Sequence, residues 1–408
     1  MSLTAPLAPK RGGAEQLAAT WTTRRVGLGA VALGLIAWIL PLPPVLARTP
    51  WPSIVLGLLA AGAGVLVLLD PKHRRLGGVS VFFGLVAIPL ALAMTNQSAA
   101  NVSQVFTWSA VIASGLTFTT PLLFGALGGV ISERSGVVNV GIDGMMLMGC
   151  YFSVWGAYAT GSWVLGMLIG MLSGGLLALV HAYFSIHLRS NQVVSGMAIN
   201  FLAYGITGYL LVAQFGNNGT PGTVPTVPNL VLPVIKNTAF FGVAFGRTNV
   251  LTWTALLLVP VIWWFLFRTR AGLRLRAIGE HPQAASTVGL RVMATRYSAV
   301  AVSGVLAALG GVYLADGFDG SFNFQMTDGR GFIALAAVIF GKWNPVGALG
   351  ATILFGFSSA LAYRMETFSA TLGTLFQALP YVLTLIAVAG LIGRSRPPAA
   401  DGVPYVKE

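Results

Sequence analysis

Long apolar runs follow one another along the chain, broken by short stretches rich in Gly, Pro and charge. A helix rises about 1.5 Å per residue, so roughly 20 apolar residues cross a hydrocarbon core of about 30 Å. Runs of that kind lie near Val26–Leu46, Trp51–Leu69, Leu76–Thr95, Thr107–Val130, Val140–Thr160 and Ser162–His187. Others follow near Gln192–Ala213, Val250–Phe267, Tyr297–Ala315, Val346–Tyr363 and Leu372–Ile392. A shorter run, Phe332–Phe340, sits between Gly331 and Gly341 and cannot span alone. It reads as a broken helix or a re-entrant segment, forms tolerated only where protein or a cavity shields the backbone. The pattern predicts an all-α, polytopic integral membrane protein of about 10–12 transmembrane or re-entrant helices. Gly166, Gly170 and Gly174, and again Gly125 and Gly129, recur every four residues, the spacing at which helices pack backbone to backbone in lipid.

Composition removes the alternatives. Hydrophobic residues make up 55% of the 408 and charged residues 9%, against about 25% charged in soluble domains. Such a chain cannot cover a folded surface in water, and disorder would need low hydrophobicity and high charge. The net charge is +13, which on a soluble protein would suggest nucleic acid. Its distribution points to a basic cytoplasmic face instead. With the six-arginine segment 268–296 placed in the cytoplasm and the runs alternated outward, Phe332–Phe340 counting as a crossing, 19 of the 24 Lys and Arg fall on that side. Arg48, Lys236, Arg247, Arg330 and Arg364 remain outside. Both termini are then cytoplasmic, and no nucleic acid is needed to explain the charge. Val45-Leu46-Ala47 resembles a cleavage site, but the run before it is long for a signal peptide and ends in Pro41, Pro43 and Pro44, so it reads as a retained helix.

The expected organisation is a cytoplasmic tail (1–25), extra transmembrane helices (26–100), a core (101–393) with a cytoplasmic loop 268–296 and an outer loop 214–249, and a cytoplasmic tail (394–408).

Catalytic chemistry finds little support. No Gly-x-Ser-x-Gly elbow, His-Glu-x-x-His or Walker A pattern occurs. The letters of Gly329–Ala334 imitate a dinucleotide fingerprint, but no strand precedes them and a membrane segment follows. The four histidines lack metal-ligand spacing, and the lone Cys150 lies in an apolar run. Of the eleven acids, only Asp143 is expected inside a span, and His181 is expected at a helix end. A bundle without an internal ionisable relay is either a passive pore or is driven by another subunit.

Three polar segments carry the remaining information. Glu133–Gly144 interrupts two apolar runs with charge and glycine, as either a discontinuous helix or an ordinary polar turn. Within 268–296, Pro282 suits a first helical position and Gly289 a stop. That predicts a two-turn surface helix of about 10 Å flanked by basic stretches of chain, either a peg for a soluble partner or a plain loop. The outer loop 214–249, with Pro221, Pro225, Pro228 and Pro233, is turn-rich.

Four stretches resemble the permeases of nucleoside-type ABC importers, a branch of the family that includes branched-chain amino acid and ribose permeases. They are Thr120–Asn139, Gly272–Gly289, Gly329–Pro345, and Leu379–Val382 with Arg394 and Gly402–Tyr405. The family usually has Glu where this chain has Asp143, so the charge is kept with one methylene less reach. The resemblance implies a non-catalytic subunit in a bacterial cell (inner) membrane. A separate cytoplasmic ABC ATPase would bind ATP and Mg, and this chain would bind no cofactor and no metal. A second, paralogous permease and an extracytoplasmic substrate-binding lipoprotein would complete the importer. Gly279, Glu280, His281, Pro282, Gln283, Ala284, Ala285 and Gly289 would couple to the ATPase.

A nucleoside needs aromatic faces for its base and hydrogen-bonding groups for its ribose. Glu133, Asn139, Asp143, Asn200, Asn323, Trp108 and Phe118 are candidates for its pathway, with Trp155 and Gln325 behind them. The alternatives are an ABC permease for a simple sugar or amino acid, and a self-contained secondary transporter. The latter would act without an ATPase and depend on ion gradients.

Overall fold

A computed structural model describes residues 13–41, 49–95, 107–216, 219–221, 224–238, 240–366, 377–378, 381 and 396–406. The expected span Leu372–Ile392 lies almost wholly outside the described residues, as do Leu379, Pro380, Val382 and Arg394. The chain divides into two compact units, Met1–Trp108 and Ser109–Glu408.

Among the described residues the first unit holds three helices: α1 (Gly13–Ile39), α2 (Trp51–Leu68) and α3 (Arg74–Thr95). Helix α1 begins inside the stretch expected to be a tail. Helices α2 and α3 run against each other through glycines seven residues apart. A side-chain carbon at Gly57 would lie 2.6 Å from the Gly84 carbonyl oxygen, and one at Gly77 2.6 Å from that of Gly64. Hydrogen occupies those places, which lets the backbones touch and gain dispersion contacts. Between them Ser80 Oγ donates to the Ala60 carbonyl at 2.6 Å. In the tight turn that follows α2, the Asp70 carboxyl is held below the ordinary carboxylate range by its bond to His73 and by the Lys72 N–H.

The second unit contains α4 (Trp108–Arg134, entering at its first residue from the preceding unit), α5 (Ile142–Thr160), α6 (Trp163–Ala182), α7 (Gln192–Phe215) and a short α8 (Phe241–Ala244). It continues with α9 (Val250–Arg268), α10 (Arg270–Glu280), α11 (Pro282–Thr287), α12 (Val292–Val312), α13 (Arg330–Phe340) and α14 (Pro345–Glu366). Helices α6 and α12 each end in a π-helical turn, Tyr183–His187 and Tyr313–Asp319. Among the described residues seven helices are long and apolar enough to cross a membrane, α2, α4, α6, α7, α9, α12 and α14, the π turns included. The chain is thus a multi-pass membrane protein, helical over most of its described residues.

Helices α5, α6 and α12 form the tightest packing of this unit. The four-residue glycine ladder is its seam. A carbon at Gly170 would lie 2.9 Å from the Gly149 carbonyl oxygen, and one at Gly174 2.9 Å from that of Gly304. Gly125 and Gly129 instead face Ala334 and Val338 at 2.9 and 2.8 Å, seating the short α13 against α4. The segment between α7 and α9, expected on the outer side, holds a short hairpin and is more than a bare connection. Strands β1 (Asn229–Val231) and β2 (Arg247–Asn249) pair antiparallel, Asn229 opposite Asn249. The hairpin is pinned to the end of α12, where Asn249 Nδ2 donates to the Gly317 carbonyl at 3.1 Å and the Val227 N–H to that of Asp316 at 3.0 Å.

Two expectations about buried charge need correction. Glu133 and Asp316 are buried in helices long and apolar enough to span, at 3% and 1% exposure, and Asp143 is buried in the first turn of α5 at 0%. His181 is fully buried rather than interfacial, with Nδ1 against Ser195 Oγ at 3.1 Å and Nε2 against the Val138 carbonyl at 3.2 Å.

Candidate functional site

The polar stretch after α4 is a buried, non-helical elbow. Gly136 turns it with φ of 88°, a left-handed conformation that costs glycine little. Its backbone groups lack helical partners, and an unpaired polar group inside a membrane costs on the order of several kcal/mol. Side chains from four helices take their place. Ser132 Oγ donates to the Val137 carbonyl at 2.7 Å, and the Val138 N–H donates to Gln192 at 2.7 Å. Asn200 accepts from the Gly144 N–H at 2.8 Å and donates to the Val140 carbonyl at 3.0 Å. Asn139 Nδ2 donates to Ser303 Oγ at 3.0 Å.

At the far end of the elbow stands Asp143. Its Oδ1 accepts from the Gly331 N–H at 2.8 Å. Its Oδ2 accepts from the Tyr204 hydroxyl at 2.6 Å and the Thr327 hydroxyl at 3.1 Å. Gly331 is in the first turn of α13, so the carboxylate meets the positive end of that helix. Any side chain on Gly331 would fall against the Asp143 backbone. At the near end, Trp343 Nε1 donates to Glu133, and Arg134 Nε donates to the Trp343 carbonyl at 2.8 Å. Eleven residues of α13 extend only about 16 Å, roughly half a hydrocarbon core. The short run is therefore a half-helix braced at both ends by one elbow.

A cavity of about 420 Å³ opens beyond the N-terminal end of α13. Phe118 and Leu122 of α4, Tyr363 and Glu366 of α14, and Asp328 and Arg330 line it, with Gln377 and Tyr381. A second space of about 180 Å³ shares Phe118 and Arg330 and adds Tyr313, Phe318 and Asp319. A third, of about 270 Å³, shares Thr117, Tyr313 and Phe318 and reaches Asn229 and Arg247 of the hairpin. The three form one polar-aromatic vestibule. The Phe118 ring centre lies 6.1 Å from those of Phe318 and Tyr363. Arg330 Nη1 donates to the Met326 and Thr327 carbonyls at 3.0 and 3.1 Å, which fixes its guanidinium at the mouth of α13.

At the opposite, basic end, α11 runs Pro282–Thr287 as expected, and Gly289 ends it with φ of 83°. The stretch before it is not an open basic flank. It is the amphipathic helix α10, capped by Thr269 on the Gly272 N–H at 3.0 Å, with Leu275 and Ile278 buried. Glu280, His281, Gln283 and Ala284 are exposed, while Gly279, Pro282 and Ala285 face inward. Gly279 presses against the Arg134 carbonyl, so the surface helices rest directly on the elbow.

Of the residues picked out for a substrate pathway, Phe118 alone lines the vestibule. Glu133, Asn139, Asp143 and Asn200 are brought together in and around the elbow, buried beneath it. Asn323 is exposed in the loop after α12, bonded to Asp319 at 2.6 Å. Trp108 begins α4 and is 37% exposed. Trp155 packs with Phe152, and Gln325 holds a φ of 57° in the loop after α12. Sequence reasoning missed Asp328, Arg330, Tyr363 and Glu366. The charges of Asp328-Gly329-Arg330 directly before a half-length apolar run were the available signal. Among the described residues no group of three His, Cys, Asp or Glu could hold a metal ion.

Residues 111–388 match the family described as the branched-chain amino acid transport system permease component. The guanosine ABC transporter permease protein NupQ of Bacillus subtilis is 40% identical over 315 residues, 73% of this chain and 97% of that one. The nucleoside ABC transporter permease protein NupC of Lactococcus lactis is 37% identical, over 75% of this chain and 99% of its own length. The putative glucose ABC transporter permease protein TsgC13 of Haloferax volcanii is 38% identical over 62% of this chain and 77% of its own. No solved structure matches the chain.

Proposed function

The chain belongs to this permease family, and from that membership we propose that it is the transmembrane subunit of an ABC importer that moves nucleosides into the cytoplasm. The observation that carries the substrate is its likeness to NupQ and NupC over nearly their whole lengths. The vestibule agrees with it. Phe118, Tyr363 and Tyr381 offer faces for a base, while Asp328, Glu366 and Gln377 offer acceptors for ribose hydroxyls or base N–H groups.

ATP and Mg belong to a separate cytoplasmic ATPase, since this sequence has no Walker A pattern. A second permease chain and an extracytoplasmic binding lipoprotein complete the assembly, and both termini of this chain lie in the cytoplasm. The exposed Glu280, His281, Gln283 and Ala284 dock the ATPase. Its closure pushes α10 through Gly279 onto Arg134. The elbow passes the movement to both ends of α13, through Glu133 to Trp343 and through Asp143 to Gly331. Arg330 and Asp328, at the outer end of α13, then move against Phe118 and Tyr363, and the vestibule changes shape.

Uptake of labelled guanosine and adenosine in cells with and without the gene is the direct test. Unlabelled ribose, uracil and branched-chain amino acids serve as competitors. Loss of nucleoside uptake on deletion, resistant to excess ribose, is the expected result. Unchanged uptake would move the substrate elsewhere. A simple sugar is then the second reading, favoured by the similarity to TsgC13.

A further inference from the structure

The stretch Gly402–Tyr405 has no part in the mechanism above, yet the tail that carries it lies on the coupling segment. The Ala400 N–H donates to the Gly279 carbonyl at 2.9 Å. The Ala399 N–H donates to Glu280 Oε2 at 3.2 Å. Tyr405, 5% exposed, packs with Ile278 of α10, Ala285 of α11 and Val292 of α12. Beneath the tail sits Arg296 of α12, 1% exposed and the largest fully buried side chain among the described residues. Its Nε donates to the Ser135 carbonyl in the elbow at 3.2 Å, and its Nη1 to the Val403 carbonyl in the tail at 3.1 Å. Nη2 reaches the gap between Gly136 and Ala400. One planar guanidinium thus bonds the elbow and the tail at once, while the tail bonds the coupling helix.

We propose that residues 398–405 and Arg296 form a strap that makes the coupling helices and the elbow move as one body, with Arg296 as a positioning residue for energy coupling. It rests on the coupling role proposed for Gly279–Gly289. The physical need is stiffness. Without the strap, α10 meets the elbow mainly through the Gly279–Arg134 contact, and a push on α11 tilts the short helices instead of moving Arg134. Burying a guanidinium is costly unless its donors are satisfied. Here Nε and Nη1 are spent on backbone carbonyls of two different segments while the buried Nη2 has no partner, an arrangement that needs a rigid fork and not the point charge of lysine. Asp401 adds an opposite charge that acts on Arg296.

The test uses the complete importer in proteoliposomes, with guanosine uptake and ATP hydrolysis measured together. Three variants are compared with the full chain: deletion of 398–408, Ala400→Pro (which removes the N–H bonded to Gly279 and stiffens the chain there), and Arg296→Lys. The expected result is that the ATPase still co-purifies and hydrolyses ATP, while uptake per ATP falls several-fold in all three, most in the deletion. Unchanged uptake per ATP in the deletion overturns the strap. So does loss of the ATPase from the purified complex, which would make the tail an assembly element. Gln283→Cys cross-linking to the ATPase reads docking separately. Its failure in the full-length chain removes the coupling role itself. Cross-linking in both lengths with normal coupling removes the strap alone.

Discussion

Asp143 accepts three hydrogen bonds, so its replacement has a magnitude that can be worked out. Asp143→Ala leaves the Tyr204 hydroxyl, the Thr327 hydroxyl and the Gly331 N–H without their acceptor in a fully buried place. A stranded buried donor costs about 1–3 kcal/mol. The two hydroxyls can turn toward other oxygens, whereas the Gly331 N–H is fixed by the backbone, so a total of about 3–6 kcal/mol is expected. Asp143→Asn keeps the shape and an acceptor for Gly331. Its amide N–H groups can be accepted by the hydroxyls, so it loses mainly the charge assistance, about 1–2 kcal/mol. Tyr204→Phe removes one donor and leaves Oδ2 bonded to Thr327, again about 1–2 kcal/mol. Thermal unfolding of the purified importer should rank Asp143→Ala far below Asp143→Asn and Tyr204→Phe, with uptake following the same order. Equal melting of Asp143→Ala and the parent would refute the brace at α13. So would Asp143→Asn falling as far as Asp143→Ala, since geometry and not charge would then be irrelevant.

Bulky or charge-reversing changes at Glu280 and Gln283 should abolish uptake while leaving insertion in the membrane intact, as followed by membrane fractionation and uptake. The single cysteine, Cys150, is fully buried, so Phe118→Cys can be labelled without a competing thiol. A charged maleimide should reach it from outside and guanosine should slow the reaction; no labelling would place Phe118 off the pathway. Burial raises the Asp401 carboxyl to about 7 against the pull of Arg296, whereas the same carboxyl in an undocked tail titrates near 4, roughly. The docked tail therefore binds more protons between those values, and docking weakens as pH rises from about 4 through 7 and then levels. Protection of the Ala400 N–H, bonded to the Gly279 carbonyl, against hydrogen exchange should be lower at pH 8 than at pH 6, a difference that Asp401→Asn, which lacks the titration, should not show.

The spanning helices were legible because crossing lipid imposes one length and one composition on each run, whatever it packs against. The glycine ladders at Gly125, Gly129, Gly166, Gly170 and Gly174 were legible for a related reason, since four-residue spacing puts them on one face of their own helix. Helix α10 was not, because six of its eleven residues are Arg, Glu or Gly and read as a basic loop. Its register, with Leu275 and Ile278 inward and Arg270 and Arg274 outward, is helical all the same. Asp316 and Glu133 were misjudged because each lies near the polar end of an apolar run. Whether such an end is wet depends on what else packs there: the pinned hairpin over Asp316, and Trp343 over Glu133.

The site was harder to read than the fold because its meaning lies between distant residues. Asp143 is separated from Tyr204 by 61 positions, from Thr327 by 184 and from Gly331 by 188. Nothing local marks those partners. The sequence does mark the two ends of the elbow by charge, at Glu133 and Asp143, and each end holds one end of the same half-helix. A helix too short to cross the membrane has no lipid-imposed position of its own along the normal. Its position is set by whatever grips its ends, here one non-helical elbow whose backbone is bonded to Gln192, Asn200 and His181. A full-length helix in its place would be anchored by its own hydrophobic match and would resist being moved. The half-helix, the buried carboxylates and the glycine at Gly331 are thus parts of one requirement: a rigid piece that can be shifted from the basic end and felt in the vestibule.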